Sequence, residues 1–440
     1  MIERMITRAF CRNFSGIAMP ELSIIIPVCN RWELTSACLR SLAEHSRGAK
    51  CAVIVVDNAS TDDTPSACPA LGESLFGACF RYHRFDENRN FGPACNAGAA
   101  LADSDLLFFL NNDTLLTPGW LPPLLEALSS EPGLAAVGPL LVYPDETVQH
   151  LGILISPAGT DIGHLYASLP AAHPLARRRR RFPAITGAAL MLPRALFLEA
   201  GGFWEEYANG FEDVDLCLGL AKKGWSMSVV PESRVIHLES QTPQRRARDV
   251  DNGRLLRSRH ELSRFANMPA LAEQDGYALR VEADLQVRFV VPEERRRELL
   301  LRARANRSFR VDLGLKLLEE EPLWDEGYTM LTTLLEGAGR REEALALWFR
   351  LLRLSPALDA AEHAVRLMRS LNMDATELST DVERWHAAIL DEEAYAAKLA
   401  NILSLLRRDG PFSLIPAYEQ AAVKAQELRA RLRAEAQRQP

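Results

Sequence analysis

Leu22-Ser23-Ile24-Ile25-Ile26-Pro27-Val28 is apolar on both faces and rich in β-branched side chains, the composition of a strand buried between two layers. Working outward, Trp32 to His45 carries Leu34, Cys38 and Leu42 at helical spacing. A second apolar strand at Ala52 to Val56 breaks into Asp57-Asn58-Ala59-Ser60-Thr61-Asp62-Asp63, all turn and capping chemistry. Further strands are expected at Phe80 to Phe85, Leu106 to Leu110 and Ala135 to Val137, with a helix from Gly92 to Leu101. Strands alternating with helices at this interval predict an α/β fold whose mostly parallel sheet is covered on both faces. Ligands of such sheets bind beyond the carboxyl ends of the strands. Asn30, Asp57 and Asp113 each stand just past such an end, so the chemistry is sought there.

A chain of 440 residues exceeds one ordinary core, and two or three domains are expected. With 48% hydrophobic and 25% charged residues the composition is globular rather than disordered. A formal net charge of -7 argues against a general nucleic-acid binder. No run approaches the ~20 apolar residues of a membrane span; Leu106 to Leu110 passes straight into Asn111-Asn112-Asp113. The eight cysteines form no CxxC pair, and Cys29, Cys51, Cys79 and Cys95 sit in or beside apolar runs. They read as free thiols of a reducing cytosol. Arg4, Arg8 and Arg12 punctuate the first twenty residues without a signal-peptide apolar core. That stretch reads either as a weak amphipathic leader or as sequence upstream of a start at Met19.

From Arg297 onward the chain is rich in Leu, Ala, Glu and Arg, and strands are hard to find. Pro322 and Pro356 are 34 residues apart, with Tyr328, Leu331, Leu335, Ala344, Trp348 and Leu351 between them and a break at Gly337-Ala338-Gly339. This spacing resembles one tetratricopeptide repeat; an irregular helical bundle is the alternative. The expected organisation is a leader at 1–20, an α/β domain at 21–265, a connection at 266–296 and a helical, repeat-like domain at 297–440.

Several residues carry candidate chemistry. Asp57 after its strand either accepts a hydrogen bond from the ring imino group of a uracil, thymine or guanine, or caps the next helix. A buried strand delivering Asp113 into a polar turn suits a hard divalent cation, with Asn111 as a neutral oxygen donor or a turn cap. Glu212, Asp213 and Asp215 open a helix expected to run to Lys223, where the helix dipole favours negative charge. Acidic residues there are also ordinary helix-start chemistry. His237 follows a strand-like run from Ser233 to Ile236 and reads as a ligand or a structural histidine. Trp204 reads as a flat wall for a ligand or a packed core residue. The run Arg177 to Arg181 reads as a solvated mobile loop or as a surface for an anionic acceptor or membrane.

Five ordered blocks together resemble the family 2 glycosyltransferases, in the rhamnosyl-, galactosyl- and galactofuranosyltransferase-like branch with the GT-A fold. They are Leu22 to Thr35 (LSIIIPVCNRWELT), Val53 to Thr64 (VIVVDNASTDDT), Asn88 to Ala99 (NRNFGPACNAGA), Leu107 to Asp113 (LFFLNND), and Ile185 to Val235 with His237. The resemblance covers roughly residues 21 to 240 and implies a nucleotide-sugar-binding domain at 21–265. It implies that Pro27, Val28 and Asn30 line the nucleotide loop, that Asp57 contacts the base, and that Asn90 and Asn96 flank the donor, with Asn111 and Asn112 beside it. It places Mg²⁺ or Mn²⁺ on Asp113 and His237, and the catalytic base on Asp213. Glu212, Asp215 and Trp204 are then expected on the acceptor side. Two departures stand out: Cys29 replaces a commonly aromatic position, and Asn111 replaces the first acid of the metal motif.

The implied reaction is an inverting transfer from a nucleoside-diphosphate sugar, with UDP or dTDP as carrier, to an acceptor hydroxyl in cell-surface polysaccharide, O-antigen or glycoconjugate synthesis. The acceptor is expected to be a glycan, a lipid-linked glycan or a protein, and the helical region a site for a protein partner. The protein is expected in the cytoplasm, with peripheral contact at the inner membrane face through Arg177 to Arg181. The competing reading is a degenerate nucleotide-sugar-binding domain that serves as a scaffold with its helical repeats.

Overall fold

The computed structural model describes residues 21–238, 248–304 and 310–437, so the expected leader lies outside the described residues. The chain divides into two compact units. One holds the residues up to 154 together with 163–261; the other takes 155–162 and everything from 262.

In the first unit β1 (Leu22–Val28), β2 (Cys51–Asp57), β3 (Phe80–Arg84) and β4 (Leu106–Leu110) pair in parallel. The helices α1 (Trp32–His45), α2 (Thr64–Phe76) and α3 (Phe91–Leu101) lie between them in sequence. Beyond β4 come β5 (Thr114–Leu116), β6 (Leu134–Val142), β7 (Val148–His150), the short β8 (Ile153–Ile155) and β9 (Ile162–His164), β10 (Arg180–Phe182), β11 (Ala189–Pro193) and β12 (Ser226–His237). The helices of this half are α4 (Leu121–Ser130), α5 (Arg194–Glu199), α6 (Glu212–Ala221) and α7 (Asp249–Arg259).

The strands form a ten-stranded sheet in the order β10-β12-β6-β11-β4-β1-β2-β3, with β5 on β12 and β7 on β6. The expected parallel character holds for β1 to β4, but the sheet as a whole is mixed. β11 runs antiparallel between β4 and β6, and β5, β7 and β10 are also antiparallel to their neighbours. Parallel neighbours need a long crossover, whereas β6 and β7 are joined by a tight turn in which Tyr143 N donates to Thr147 O at 2.8 Å.

The apolar run at β4 has no polar face because it is covered twice. Phe108 stacks on Trp120 with ring centroids 5.0 Å apart, and Phe109 meets Phe197 and Phe203 at 4.9 Å each. Ile24, Ile26, Val53 and Val55 join Cys38, Leu39 and Leu42 of α1 in the same core as Phe108. Burial pushes the Cys38 thiol up to about 12, which makes it an inert core residue. All seven described cysteines are free, with Cys68, Cys95 and Cys217 also buried and Cys29 and Cys79 exposed.

In the second unit, residues 266–296 were expected as a connection. They hold α8 (Met268–Asp275), the hairpin β13 (Ala278–Val281) and β14 (Val287–Val290), and the start of α9 (Glu293–Arg304). Then follow α10 (Val311–Glu320), α11 (Asp325–Gly337), α12 (Arg341–Leu354), α13 (Leu358–Ser370), α14 (Thr376–Leu390), α15 (Glu392–Asp409) and α16 (Ile415–Ala436). From α11 on, each helix packs against its successor. The six positions picked out between Pro322 and Pro356 are all buried, and Gly339 turns the chain between α11 and α12 at φ 75°. Leu285, Ile402, Leu406 and Tyr418 belong to a second core of this unit. Among the described residues no helix is long and apolar enough to cross a membrane.

Candidate active site

The strand ends β1 and β2 deliver one connected loop system. Asn58 N donates to Val28 O at 2.7 Å, and Asn30 N donates to Ser60 Oγ at 2.7 Å. Asn30 sits at φ 62°, where its side chain accepts from Thr61 N at 2.7 Å and from Asp62 N at 3.3 Å. Asn58 then reaches Asn90, donating to its carbonyl at 2.9 Å. Pro27, Val28, Asn30, Asp57 and Asn90 thus stand at or beside the ends of these two paired strands.

Asp57 itself is fully buried. Its Oδ1 accepts from Ser60 N at 2.8 Å, and its Oδ2 accepts from Tyr82 Oη at 2.5 Å and from the Arg84 guanidinium. Burial and the Asp57 carboxylate together push the Tyr82 hydroxyl up, so it remains a donor. The carboxylate expected to read a base is therefore held within a built-in partner set, and Arg84 is the charged member that keeps some exposure.

Register builds the second part of the site. After a register shift between Val230 and Arg234, β12 pairs with β5 as Val235↔Leu116, Ile236↔Leu115 and His237↔Thr114. Leu238 N closes the ladder on Asp113 O at 2.9 Å. That register sets the His237 ring beside Asp113, with Nε2 2.9 Å from Oδ1. A slip of one residue would turn the ring to the other face.

Gln149 of β7 holds the other side of His237. Its amide nitrogen donates to His237 O at 3.3 Å, so its Oε1 is the atom that meets Nδ1 at 2.6 Å. The ring hydrogen is thereby placed on Nδ1, and Nε2 faces Asp113. A ring lone pair and a carboxylate oxygen 2.9 Å apart repel unless a proton or a cation lies between them. One carboxylate and one imidazole fit a divalent cation that takes its other ligands from water and phosphate, while the Asn111 amide nitrogen, 3.4 Å from Nε2, is turned to donate to that ring nitrogen. Among the described residues no group of three or more His, Cys, Asp or Glu could hold an ion alone.

Thr186-Gly187-Ala188 joins this centre to Asp213. Thr186 N donates to His150 Nε2 at 3.2 Å, Gly187 N donates to Asp213 Oδ2 at 2.6 Å, and Ala188 O accepts from Asn111 N at 2.9 Å. An added Cβ at position 187 would stand 3.0 Å from the Asp213 Cβ, so a larger residue there would displace Asp213 by a few tenths of an ångström. His150 is held neutral: burial, then the nearby His164 and His237, keep its pKa well below the usual histidine value. Asn112 points elsewhere, donating to Thr35 Oγ1 at 2.9 Å.

The remaining acidic residues of α6 have other work. Glu212 is buried and accepts from Gly210 N at 2.6 Å, which closes the start of the helix. Asp215 is buried under His260 at 2.7 Å, Arg259 at 2.7 and 3.2 Å, and Tyr207 at 3.2 Å. Two residues along a helix is a turn of about 200°, so Asp213 and Asp215 leave α6 in different directions. Trp204 is 41% exposed and lies beneath the Arg259 guanidinium, 3.8 Å from its carbon. Asn96 is spent on the adjoining loop, bonding Phe203 N and O at 2.9 Å each and Glu205 at 3.0 Å.

The arginine run is solvated only in part: Arg177 and Arg178 are exposed, whereas the next three are tied to the fold. Arg180 is buried and donates to Leu175 O and Arg178 O at 3.0 Å each; Arg179 bridges Glu131 and Glu232; Arg181 bonds Ser226 and Pro132. Gln149, His150 and the Thr186 to Ala188 hub were not read from the sequence as site residues. Their signal was two polar side chains inside an otherwise apolar stretch, Val148-Gln149-His150-Leu151, and a Thr-Gly pair just ahead of an apolar strand.

Residues 23–183 match the family model of glycosyl transferase family 2. An uncharacterized protein of Sinorhizobium fredii is 30% identical over 59% of this chain and 30% of its own length. An O-antigen biosynthesis protein of Myxococcus xanthus is 32% identical over 50% of this chain and 17% of its own. The N-acetylglucosaminyl-diphospho-decaprenol L-rhamnosyltransferase of Mycobacterium tuberculosis is 30% identical over 42% of this chain and 66% of its own. The chain thus spans less than a third of the length of the first two relatives. A solved structure of GalNAc-T7 with UDP, GalNAc and Mn²⁺ aligns at 17% identity and a TM-score of 0.42 over 54% of this chain and 48% of that one, a likeness too loose to argue from. The match to the family model and the sheet with its loop cluster at the strand ends lead to one conclusion: this chain carries a family 2 glycosyltransferase domain in its N-terminal unit.

Proposed function

We propose that this protein transfers a sugar, with inversion, from a nucleoside-diphosphate donor of the UDP or dTDP class to a glycan hydroxyl, in the assembly of a surface polysaccharide or glycoconjugate. One observation carries the reading. Adjacent residues, Gly187 and Ala188, bind Asp213 on one side and Asn111 of the Asp113 turn on the other. A general base and a candidate cation ligand set are thereby held on one short rigid segment, which is what an in-line displacement needs.

The roles follow from the chemistry. Asp113 and His237 would hold Mg²⁺ or Mn²⁺ against the donor diphosphate, and such an ion supplies Lewis acidity where the leaving oxygen gains charge. Asn111 stands beside His237 as a neutral polar neighbour, so the chain contributes one negative charge to that centre from Asp113. Asp213, fixed by Gly187 N–H at one oxygen and Val214 N–H at the other, accepts the proton of the acceptor hydroxyl as the new bond forms. Asn30, Asn58 and the Asp57–Arg84 pair form the wall against which the nucleotide is placed. Trp204 presents its exposed face to the acceptor sugar.

The variant Asp213→Asn keeps the shape of the side chain and removes the base. Release of nucleoside diphosphate from a nucleotide-sugar panel with acceptor should fall about 10²–10⁴-fold while thermal unfolding is unchanged. Near-normal transfer in a folded Asp213→Asn protein would refute the role. The scaffold alternative predicts that wild type binds nucleotide sugar and never turns it over.

A further inference from the structure

We propose that Gln149 is the positioning residue of the Asp113–His237 centre, clasping His237 by its main chain and its ring so that only Nε2 is presented to a cation. The inference rests on the metal-dependent reading above. Gln149 is 6% exposed and His237 is 2% exposed, so water does not compete for these bonds. The two contacts of Gln149 are chemically directed. A carbonyl oxygen can only accept, so the amide nitrogen is committed to His237 O at 3.3 Å. The amide oxygen is then left for Nδ1 at 2.6 Å, and an amide oxygen accepts but cannot donate.

The consequence concerns the tautomer. A neutral imidazole carries its hydrogen on either nitrogen, and a buried N–H without an acceptor is costly. With Gln149 in place the hydrogen belongs on Nδ1, and the Nε2 lone pair points at Asp113 Oδ1, 2.9 Å away. Without Gln149 the hydrogen gains by moving to Nε2, where Asp113 accepts it. The pair would then seal itself, and the same two atoms that would hold a cation would hold a proton instead. A neutral amide achieves the orientation without adding a second negative charge next to Asp113. Gln149 reaches His237 because β7 and β12 both pair with β6, at Leu141↔His150, Val142↔Val148 and Ile236↔Val142.

The test uses the full chain, labelled with ¹⁵N-histidine, and long-range ¹H–¹⁵N correlation to read the His237 tautomer. Mn²⁺ alone is then titrated in and free Mn²⁺ is followed by electron paramagnetic resonance. Wild type should show His237 with hydrogen on Nδ1. Gln149→Met, of similar volume but without an acceptor, should move it to Nε2 and weaken Mn²⁺ binding by roughly ten-fold or more. Gln149→Glu restores an acceptor for Nδ1 while losing the donor to His237 O, so the ring hydrogen should return to Nδ1. An unchanged tautomer and unchanged Mn²⁺ midpoint in folded Gln149→Met would overturn the proposal. Loss of the Nδ1 tautomer in Gln149→Glu would overturn it too, which keeps the test decisive where Gln149→Met does not fold. His237→Ala separates the two claims: an unchanged Mn²⁺ midpoint there overturns the metal reading, whereas the tautomer result in Gln149→Met speaks to Gln149 without any metal present.

Discussion

Two carboxylate–histidine pairs lie in the same unit, and they differ in what surrounds them. Asp215 meets His260 at 2.7 Å and also takes two bonds from Arg259 and one from Tyr207. Asp113 meets His237 at 2.9 Å, and the histidine's other nitrogen is held by a neutral amide. The first pair has its positive charge built into the chain through Arg259. The second brings a carboxylate oxygen and the Nε2 lone pair to 2.9 Å, a repulsion that a proton or a cation between them relieves. A carboxylate beside a histidine is thus not in itself a site; the charge balance of its neighbours separates a structural cluster from a place for chemistry.

The largest effect should come from breaking the Asp113–His237 pair. Asp113→Asn should lower nucleoside-diphosphate release about 10²–10³-fold, with the melting temperature nearly unchanged. Chelation of wild type by EDTA should reproduce that loss and Mn²⁺ should reverse it; full activity after exhaustive chelation would place Asp113 outside any metal shell.

The Asp215–His260 pair should answer in stability. Asp215→Asn leaves Arg259 and His260 without their counter-charge and should cost about 3 kcal/mol in chemical denaturation, the low end of the range because Arg259 keeps 30% exposure. Burial pushes the Asp215 carboxyl up, but His260 and Arg259 outweigh it and hold it below the usual range. A carboxyl whose folded pKa lies below its unfolded value stabilises fully above about pH 4 and loses that contribution as pH falls through the folded pKa. Wild type should therefore lose stability below about pH 4 along a segment that Asp215→Asn lacks. Parallel acid profiles for the two proteins would show that the cluster stores no such energy.

The smallest effect belongs to the rim of that cluster. Trp204→Leu removes the guanidinium stack and should cost about 0.5–1 kcal/mol of stability, as expected of an exposed cation–π contact. If Trp204 also faces the acceptor, acceptor KM should rise several-fold with kcat retained; a change in kcat alone would move it away from acceptor binding.

Much of the first unit was legible in the linear sequence, because strands buried on both faces announce themselves as unbroken apolar runs. Leu22 to Val28, Ala52 to Val56 and Leu106 to Leu110 all became parallel neighbours, and the polar turns after them became the loop cluster. The antiparallel half was harder to read. Ala135 to Val137 and Ser233 to Ile236 were visible only as fragments of the long strands Leu134–Val142 and Ser226–His237. The pairing of Arg179 was not legible, because charge density says nothing about partners: Glu131 and Glu232 are remote from it in sequence.

Sequence alone determined the alternating α/β class, the helical second unit, and the residue types that matter at strand ends, since those follow from local periodicity and turn chemistry. Tertiary structure decided the rest. Which of Glu212, Asp213 and Asp215 meets Gly187, whether Asp57 stands open or paired, and which histidine nitrogen faces Asp113 all depend on contacts between residues distant along the chain. Those contacts are set by strand register and helix phase, and a shift of one residue in either would have turned His237 or Asp213 away from its partner.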